Sequence, residues 1–380
     1  MIWILLNMML SSWISMKRWN NFPRIEDISH IDNVWFILHI ALFLSHLEEK
    51  EWNIVDKEFI IKRILFNSTK ILFLSDISSW TRVYIEKINK DIFPELEEKV
   101  FNHILSFNAP KYIKEDIKTI MNDETKTLEL SIIKAAKRYA AYKECLINMK
   151  VFELTYEVPH NEIMTSLEEK RKELKSLDRL LKDSNYEKYL LNIRKLSHSF
   201  RWNSEKRIFP ISVMSHLVIT AFLSYIIWSI ENAKWWKLNI YEMMLKAIYH
   251  DIPEAMTWDI ITPTKKAIPW FSEILEEVEK KMLKDYLFYY VWDEYENFVK
   301  DYMLNPWAWT EWKYVKYADV ICAMFESKIE VNYWSTNYIE IYRSLKRKVN
   351  AFEWPSVEYM LKEVSDSFDD KNINLHFNNW

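Results

Sequence analysis

The sequence predicts an all-α protein made of two helical halves joined by a charged helix. Hydrophobic residues recur at helical spacing along most of the 380 residues, whereas the strict alternation typical of half-buried strands is scarce. The ten prolines fall between these periodic runs, where helices end. The hydrophobic content of 49% is enough for a buried core and excludes a wholly disordered chain.

The first element is predicted to be a packed helix over residues 1–16, whose sequence is MIWILLNMMLSSWISM. This run is apolar and uncharged, but it is shorter than the ~20 residues that a membrane-spanning helix needs. Lys17 and Arg18 follow the run instead of preceding it, which is the reverse of a secretory signal peptide. We therefore expect no membrane contact, with a membrane anchor as the alternative interpretation.

The two halves resemble each other, which indicates an internal duplication. Chance similarity between amphipathic helices is the alternative explanation. Four pairs of segments match in the same order along the chain: RWN at 18–20 with RWN at 201–203, ALFLS at 41–45 with TAFLS at 220–224, 63–82 with 246–265, and 132–144 with 314–326.

The connection between the halves is predicted from charge. Residues 165–185 (TSLEEKRKELKSLDRLLKDSN) are densely charged and carry leucines at helical spacing, which is typical of a solvated connecting helix. The predicted boundaries are a first helical domain at 1–160, a connector at 161–188, a second domain at 189–365 and a polar tail at 366–380.

Charge and cysteine content exclude several classes of protein. The net charge is −4, from 51 basic and 55 acidic residues, and no basic stripe with interleaved aromatic residues stands out, so we expect no nucleic-acid partner. Two cysteines, Cys145 and Cys322, are too few for a disulfide framework or a zinc ribbon. We expect a reducing, cytoplasmic setting.

Glycine is absent, although an average usage of ~7% would give roughly 27 residues, whereas tryptophan occurs 19 times. Several tryptophans stand where turns favour a small residue, as at 305–312 (NPWAWTEW) and at Trp270 after a proline. Because glycine alone reaches positive φ freely, we expect that UGA codons translated here as tryptophan specify glycine, and that a few tryptophans are genuine. The alternative is a glycine-free, tryptophan-rich protein.

Candidate metal ligands concentrate in the second half of the chain. His216 precedes the pair His250-Asp251, and Asp319 follows, so imidazole and carboxylate groups of the kind that suit divalent transition metals are both available. Glu254 lies one helical turn after His250, where it can reach an attacking water without being a ligand. The preceding segment is apolar, so ionisable groups at its end are costly to bury unless they are paired or coordinated.

This pattern resembles the HD-domain metal-dependent phosphohydrolases. The segment YHDIPEAMTWDIITPTKK at 249–266 is similar to the 5′-deoxynucleotidase branch, which reads roughly HD-x-x-E-x-x-T-G-D-x-x-T-P-x-K. Trp258 stands where that branch typically has glycine. The resemblance covers about 195–330, and 15–145 as a degraded copy, which implies two HD-type helical bundles.

The resemblance also implies roles for individual residues. One divalent ion (Mn, Co, Mg or similar) is expected, with Glu254 as the general acid or base and Arg201 orienting the substrate phosphate. Trp202 is either a genuine aromatic neighbour of that arginine or a misread glycine. The implied metal ligands are His216, His250, Asp251 and Asp319. The implied substrate contacts are Arg201, Trp202, Asp251, Asp259, Thr262, Asp319 and Lys265. The alternative for Lys265 is a solvated lysine with no substrate contact.

The implied activity is release of phosphate from nucleoside 5′-monophosphates by a metal-activated water, and dimers are frequent in the family. An HD-type phosphodiesterase or pyrophosphohydrolase is an alternative, because the fold does not fix the substrate. A nucleotide-sensing regulatory protein is another, because the first half has lost the ligands. It carries Asn67-Ser68, Ile71 and Lys137 at the positions of His250-Asp251, Glu254 and Asp319, and His216 aligns with Ile37.

Overall fold

The computed structural model describes residues 2–74, 77, 79–107, 109–234, 237–258, 260, 264, 268–304, 310–352 and 354–368. Within these residues the protein is all-α, as predicted. The extended pairing in this part of the chain consists of two isolated antiparallel bridges, Lys17 with Ser29 and Phe200 with Ser212.

The first half consists of helices that precede and surround one long buried helix. In chain order they are α1 (Ile2–Met8) with a π-helical turn (Met9–Trp13), α2 (His30–Glu49), α3 (Lys57–Thr69), α4 (Ser79–Ile88), α5 (Ile92–Ser106), α6 (Lys111–Asn122) and α7 (Thr127–Met149). Three further helices lead to the second half: α8 (Glu153–Glu173), α9 (Lys175–Lys182) and α10 (Ser184–Arg194).

The second half repeats this arrangement around its own buried helix. Its helices are α11 (Val213–Asn232), α12 (Ile240–Tyr249), α13 (Glu254–Thr257), α14 (Phe271–Tyr286), α15 (Asp293–Leu304), α16 (Thr310–Asn332), α17 (Tyr338–Asn350) and α18 (Pro355–Phe368).

Matching helix caps establish the register of the duplication. Ser29 caps α2 by accepting a hydrogen bond from the Asp32 backbone, and Ser212 caps α11 in the same way. This pairing puts Asn33 at the position of His216, so the prediction that Ile37 matches His216 is wrong by one helical turn. The match of ALFLS with TAFLS is out of register by the same turn. Both helices are apolar on nearly every face, so a shift of one turn leaves the hydrophobic pattern almost unchanged and only the caps distinguish the registers.

The two halves share one hydrophobic core, in which α2 packs against α11. The contact includes polar pairs, because Ser212 and Ser215 both donate to the buried Asp32 carboxylate. The indole N–H of Trp35 donates to the Ile248 carbonyl at 3.1 Å. Helices α2 and α11 are long and apolar enough to cross a membrane by length and composition, but about nine-tenths of each is buried inside the protein, as in the core helices of soluble proteins.

The segments at the ends and in the middle of the chain also contribute to packing. Leu5 and Leu6 of α1 are fully buried, in keeping with the predicted packed helix. In the charged segment, Leu167, Leu177 and Leu180 are buried, while α8 packs on α7 and α9 packs on α2. The boundaries of the two domains and of the connector remain a prediction, and the predicted tail lies outside the described residues beyond Phe368.

All five residues with positive φ in the described part of the chain are tryptophans. Trp52 (94% exposed) and Trp334 (89% exposed) follow helix ends. The bond from Asn53 N–H to Glu48 O (3.2 Å) and the bond from Ser335 N–H to Glu330 O (2.9 Å) complete a Schellman motif at each end, where glycine is the usual residue. The backbone of Trp258 has φ 66° and ψ 170°, a region that glycine occupies almost exclusively.

The remaining two, Trp19 and Trp202, are half-buried, and their indole N–H groups donate to Glu144 (2.8 Å) and Glu326 (3.0 Å). This geometry separates glycine-like tryptophans from those whose side chains make contacts. The recoding itself remains a prediction.

Candidate metal centre

Three separate stretches supply the predicted ligands. His216 lies in the first turn of α11, where its backbone N–H donates to the capping Ser212 carbonyl. His250 is the residue at which α12 ends, and Asp251 follows it in the tight turn before α13. Asp319 lies within α16, which packs against both α11 and α12. The packing of these three helices therefore brings the four side chains to one end of α11.

The four predicted ligands lie close together. His216 Nε2 lies 3.2 Å from Asp319 Oδ1, and His250 Nε2 lies 3.3 Å from Asp251 Oδ1. Ligand atoms of His216, His250 and Asp251 all lie within 4.8 Å of one another. The side chains that the sequence separates by more than a hundred residues thus converge, although their role as ligands remains a prediction.

The His250 ring is oriented for coordination by its own backbone. Its Nδ1 lies 3.2 Å from the carbonyl oxygens of Lys246 and Ala247, so Nδ1–H donates and Nε2 keeps its lone pair. Nε2 is buried, makes no hydrogen bond in the described part of the chain and is directed towards Asp251. Burial lowers the pKa of His250, which favours the neutral ring that a metal requires.

His216 is oriented by a buried carboxylate. Its Nδ1 lies 3.0 Å from Glu326 Oε1, which leaves Nε2 directed towards Asp319. Carboxylate–histidine pairs of this kind fix the ring and increase its basicity in metal sites. Burial and Arg201 lower the pKa of His216, but hydrogen bonds with Cys322 and Asp319 outweigh them and raise it well above its ordinary value. The site therefore attracts positive charge, and its two imidazoles and two carboxylates fit a divalent transition metal.

Glu326 is a further residue of this cluster, and it was not predicted from the sequence. It is fully buried and accepts hydrogen bonds from His216 and from the Trp202 indole, and it lies 3.5 Å from Arg207 and 3.6 Å from Arg201. Burial alone would raise the pKa of Glu326, but Arg201 and the hydrogen bond from His216 hold it well below its usual range. A signal was present in the sequence, because Glu326 lies two helical turns after Asp319 and both repeated segments end in glutamate.

Arg201 lies beside the ligand cluster. Its guanidinium nitrogens lie 3.6 Å from Asp251, 3.7 Å from Asp319 and 3.6 Å from Glu326. Burial by itself would lower the pKa of Arg201. The charges of these three carboxylates and of Glu254 have the larger, opposite effect and raise its pKa, so the arginine stays charged. Lys316, a second cation that was not predicted from the sequence, lies 2.6 Å from Asp319 Oδ2.

The remaining predicted site residues divide into two groups. Glu254 begins α13, is half-buried and acts electrostatically on Arg201, so it lies at the edge of the cluster. The Trp202 ring lies edge-on to Tyr338, and its substrate contact remains a prediction. Three predicted substrate contacts lie outside the described residues: Asp259, Thr262 and Lys265.

Comparison with known proteins finds the same type of unit twice. A family model described as 5′-deoxynucleotidase YfbR-like matches residues 6–183 and 188–368. A 5′-deoxynucleotidase of Vibrio atlanticus is 24% identical over 191 residues, covering 50% of this chain and 96% of that protein. A 5′-deoxynucleotidase of Vibrio cholerae is 26% identical over 173 residues, covering 44% and 88%.

Among solved structures, an HD-domain phosphohydrolase from Listeria innocua is similar at 23% identity and a TM-score of 0.44. The match covers 50% of this chain and 92% of that chain.

Proposed function

We propose that this chain, which belongs to the YfbR-like 5′-deoxynucleotidase family and matches it in both halves, releases phosphate from nucleoside 5′-monophosphates at a site in its second half. The observation that carries this proposal is the convergence of two oriented imidazoles and two carboxylates beside a half-buried arginine.

The proposed ligands are His216, His250, Asp251 and Asp319. Together they would hold one divalent ion, whose chemistry would be to lower the pKa of water towards ~7 and so make hydroxide available at neutral pH. The chain's contribution is to direct both Nε2 atoms towards the ion. Glu326 and the α12 backbone do so by accepting hydrogen bonds from the two Nδ1–H groups.

Arg201 orients the phosphate group of the substrate. Its 3.6–3.7 Å separations from the three carboxylates exceed hydrogen-bond length, so its N–H donors remain available to phosphate oxygens. A guanidinium presents two parallel donors, which match two oxygens of a phosphate group and offset their charge.

Glu254 moves the proton of the reaction, from the attacking water or to the leaving 5′ oxygen of the nucleoside. A positioned acid or base of this kind contributes ~10²–10⁴-fold to the rate. Its place at the start of α13, one turn after His250, supports this role.

A substrate panel on the full chain tests the proposal. Phosphate release is measured from ribo- and deoxyribonucleoside 5′-monophosphates, 3′-monophosphates, triphosphates and cyclic nucleotides, in EDTA and then with manganese, cobalt or magnesium. We expect release from the 5′-monophosphates, loss of activity in EDTA and its return with metal. Release of pyrophosphate from triphosphates, or opening of cyclic nucleotides with no action on monophosphates, would contradict the proposal.

Two variants connect the activity to this site. We expect Asp251→Asn to lose both metal binding and phosphate release, because it removes a proposed ligand. The exposed Glu276 of α14 provides the control, since Glu276→Gln leaves the cluster intact. Equal activity of Asp251→Asn and Glu276→Gln would contradict the assignment of the site.

A further inference from the structure

Asp32 of the first half lies at the helix end that carries His216. Each of the two buried helices begins with a serine cap, Ser29 for α2 and Ser212 for α11. Three residues after its cap, α2 has Asp32, whose side chain accepts from the Ser29 backbone and completes a capping box. Helix α11 has Ser215 at the same position and no acidic residue in its first turn. The second half therefore lacks a carboxylate that the first half provides.

The carboxylate of Asp32 serves both helices, with one oxygen for each. Its Oδ2 accepts from the Ser29 hydroxyl at 2.6 Å and from the Ser29 backbone N–H at 3.1 Å. Its Oδ1 accepts from the hydroxyl of Ser212 and, at 2.6 Å, from that of Ser215. Asp32 and both serines of α11 are buried. The bonds hold the carboxylate firmly, and its charge is favourable beside the amino-terminal ends of two helices.

These bonds determine where the first turn of α11 places His216. The Ser212 side chain accepts from the Ser215 backbone at 3.0 Å, and the Ser212 carbonyl accepts from the His216 backbone at 3.1 Å. The serine that donates to Asp32 from within the helix is the residue next to His216. A shift of this turn would move the His216 ring, whose Nε2 lies 3.2 Å from Asp319. Asp32 therefore fixes the helix end on which that ring depends.

A second contact from α2 holds the end of α12, where His250 lies. The indole N–H of Trp35 donates to the Ile248 carbonyl at 3.1 Å. The usual helical donor to that carbonyl is the N–H of Ile252, which donates to the next carbonyl instead because the helix ends here. The two carbonyls before Ile248 orient the His250 ring. Trp35 is fully buried within α2, so it belongs with the tryptophans whose side chains make contacts.

We propose that the first half, which has lost the metal ligands, positions those of the second half, with Asp32 as the main positioning residue and Trp35 as a second one. The inference rests on the proposed metal site but not on which nucleotide is hydrolysed. Both histidines lie at helix ends, where terminal backbone groups have no intrahelical partners and helices fray most readily. Contacts from one neighbouring helix, α2, fix the two ends relative to each other. The degenerate half serves the site in this way without a ligand of its own.

Exchange of the two equivalent residues tests the role of Asp32. Asp32→Ser removes the carboxylate, and the double variant Asp32→Ser with Ser215→Asp returns a carboxylate to the same cluster from α11. Titration of the metal-free full chain with Co²⁺ alone, followed by the visible absorption of the bound ion, measures both affinity and coordination. We expect Asp32→Ser to weaken Co²⁺ binding by about 10-fold, the lower end of the range for groups that orient metal ligands. The exchange variant should restore the affinity.

Two further variants complete the experiment. Asp91 is an exposed aspartate of the first half whose side chain makes no cap bond to α5, so Asp91→Asn should bind Co²⁺ as the unmodified chain does. Trp35→Phe keeps an aromatic ring but removes the N–H, and it should weaken Co²⁺ binding by up to about 10-fold. Circular dichroism at the temperature of the titration shows that each variant is folded. A merely structural role would lower the melting temperature without changing the Co²⁺ affinity or spectrum of the folded chain.

The outcomes separate this inference from the proposed function. Equal Co²⁺ affinities of Asp32→Ser and Asp91→Asn would overturn the inference, and so would a folded exchange variant that binds no better than Asp32→Ser. Absence of phosphate release from every nucleotide would contradict the proposed function, whereas the Co²⁺ titrations would still decide the role of Asp32. Absence of Co²⁺ binding by the unmodified chain would overturn both.

Discussion

The ammonium of Lys137 destabilises the folded protein, so its removal should increase stability. Burial is the main cause that lowers its pKa from 10.5 to about 8; the charge of Glu97 opposes this fall, and nearby cations add to it. At ~1.4 kcal/mol per pH unit this fall corresponds to about 3 kcal/mol. Because Lys137 is half-buried, solvent screening reduces the expected gain for Lys137→Met to about 2 kcal/mol at pH 7.

The dependence on pH separates this charge effect from a gain in packing. Below pH 8 the lysine is protonated in both the folded and the unfolded chain, so the full destabilisation is present. Between about pH 8 and 10.5 the unfolded chain binds a proton that the folded chain has released, so the stability of the unmodified protein rises with pH. The advantage of Lys137→Met should therefore shrink across this window and vanish above it, apart from any constant contribution from the methionine.

Urea unfolding followed by circular dichroism at pH 7, 9 and 10.5 measures the effect. Lys134→Met provides the control, because an exposed surface substitution usually changes the free energy of unfolding by less than ~0.5 kcal/mol. A Lys137→Met variant no more stable than the control at pH 7, or one with the same advantage at pH 10.5, would refute the electrostatic reasoning.

Three further predictions concern the second half and the tryptophans. Glu326→Gln should weaken metal binding by about 10- to 100-fold, because it removes the carboxylate that orients His216. Glu144→Gln in the first half should leave metal binding unchanged and is the control. Metal titration compares the two variants, and equal effects would count against a positioning role for Glu326. Glu254→Gln should retain metal binding but lose ~10²–10⁴-fold in phosphate release, and unchanged turnover would remove its proposed role. Trp258→Gly should stabilise the protein by about 1–3 kcal/mol, because glycine reaches its backbone angles without strain. Trp202→Gly should destabilise the protein through loss of the hydrogen bond to Glu326, so thermal unfolding distinguishes the two variants. The intact mass of the protein from its native source shows how many of the tryptophans are glycine.

The amino-acid sequence was sufficient for the features that depend on local spacing. Apolar periodicity predicts helices because neighbouring turns place residues on one face, and the all-α fold follows. The sequence identifies His250, Asp251 and Glu254 together because these residues lie close to one another along the chain. The repeat was visible as well, but its register in the first buried helix was wrong, since a helix apolar on all sides looks alike after a shift of one turn.

Only the tertiary structure decided how the distant segments combine. Glu326 of α16 accepts hydrogen bonds from His216 of α11 and from Trp202 in the loop before α11. No local sequence pattern encodes these contacts. Helix caps, fixed by side-chain hydrogen bonds, place Asn33 opposite a histidine. The cations around Lys137 come from three other parts of the chain. Hydrophobic periodicity determines which face of a helix is buried, but the electrostatics of a site depend on which faces meet, and that is determined by packing across the whole core.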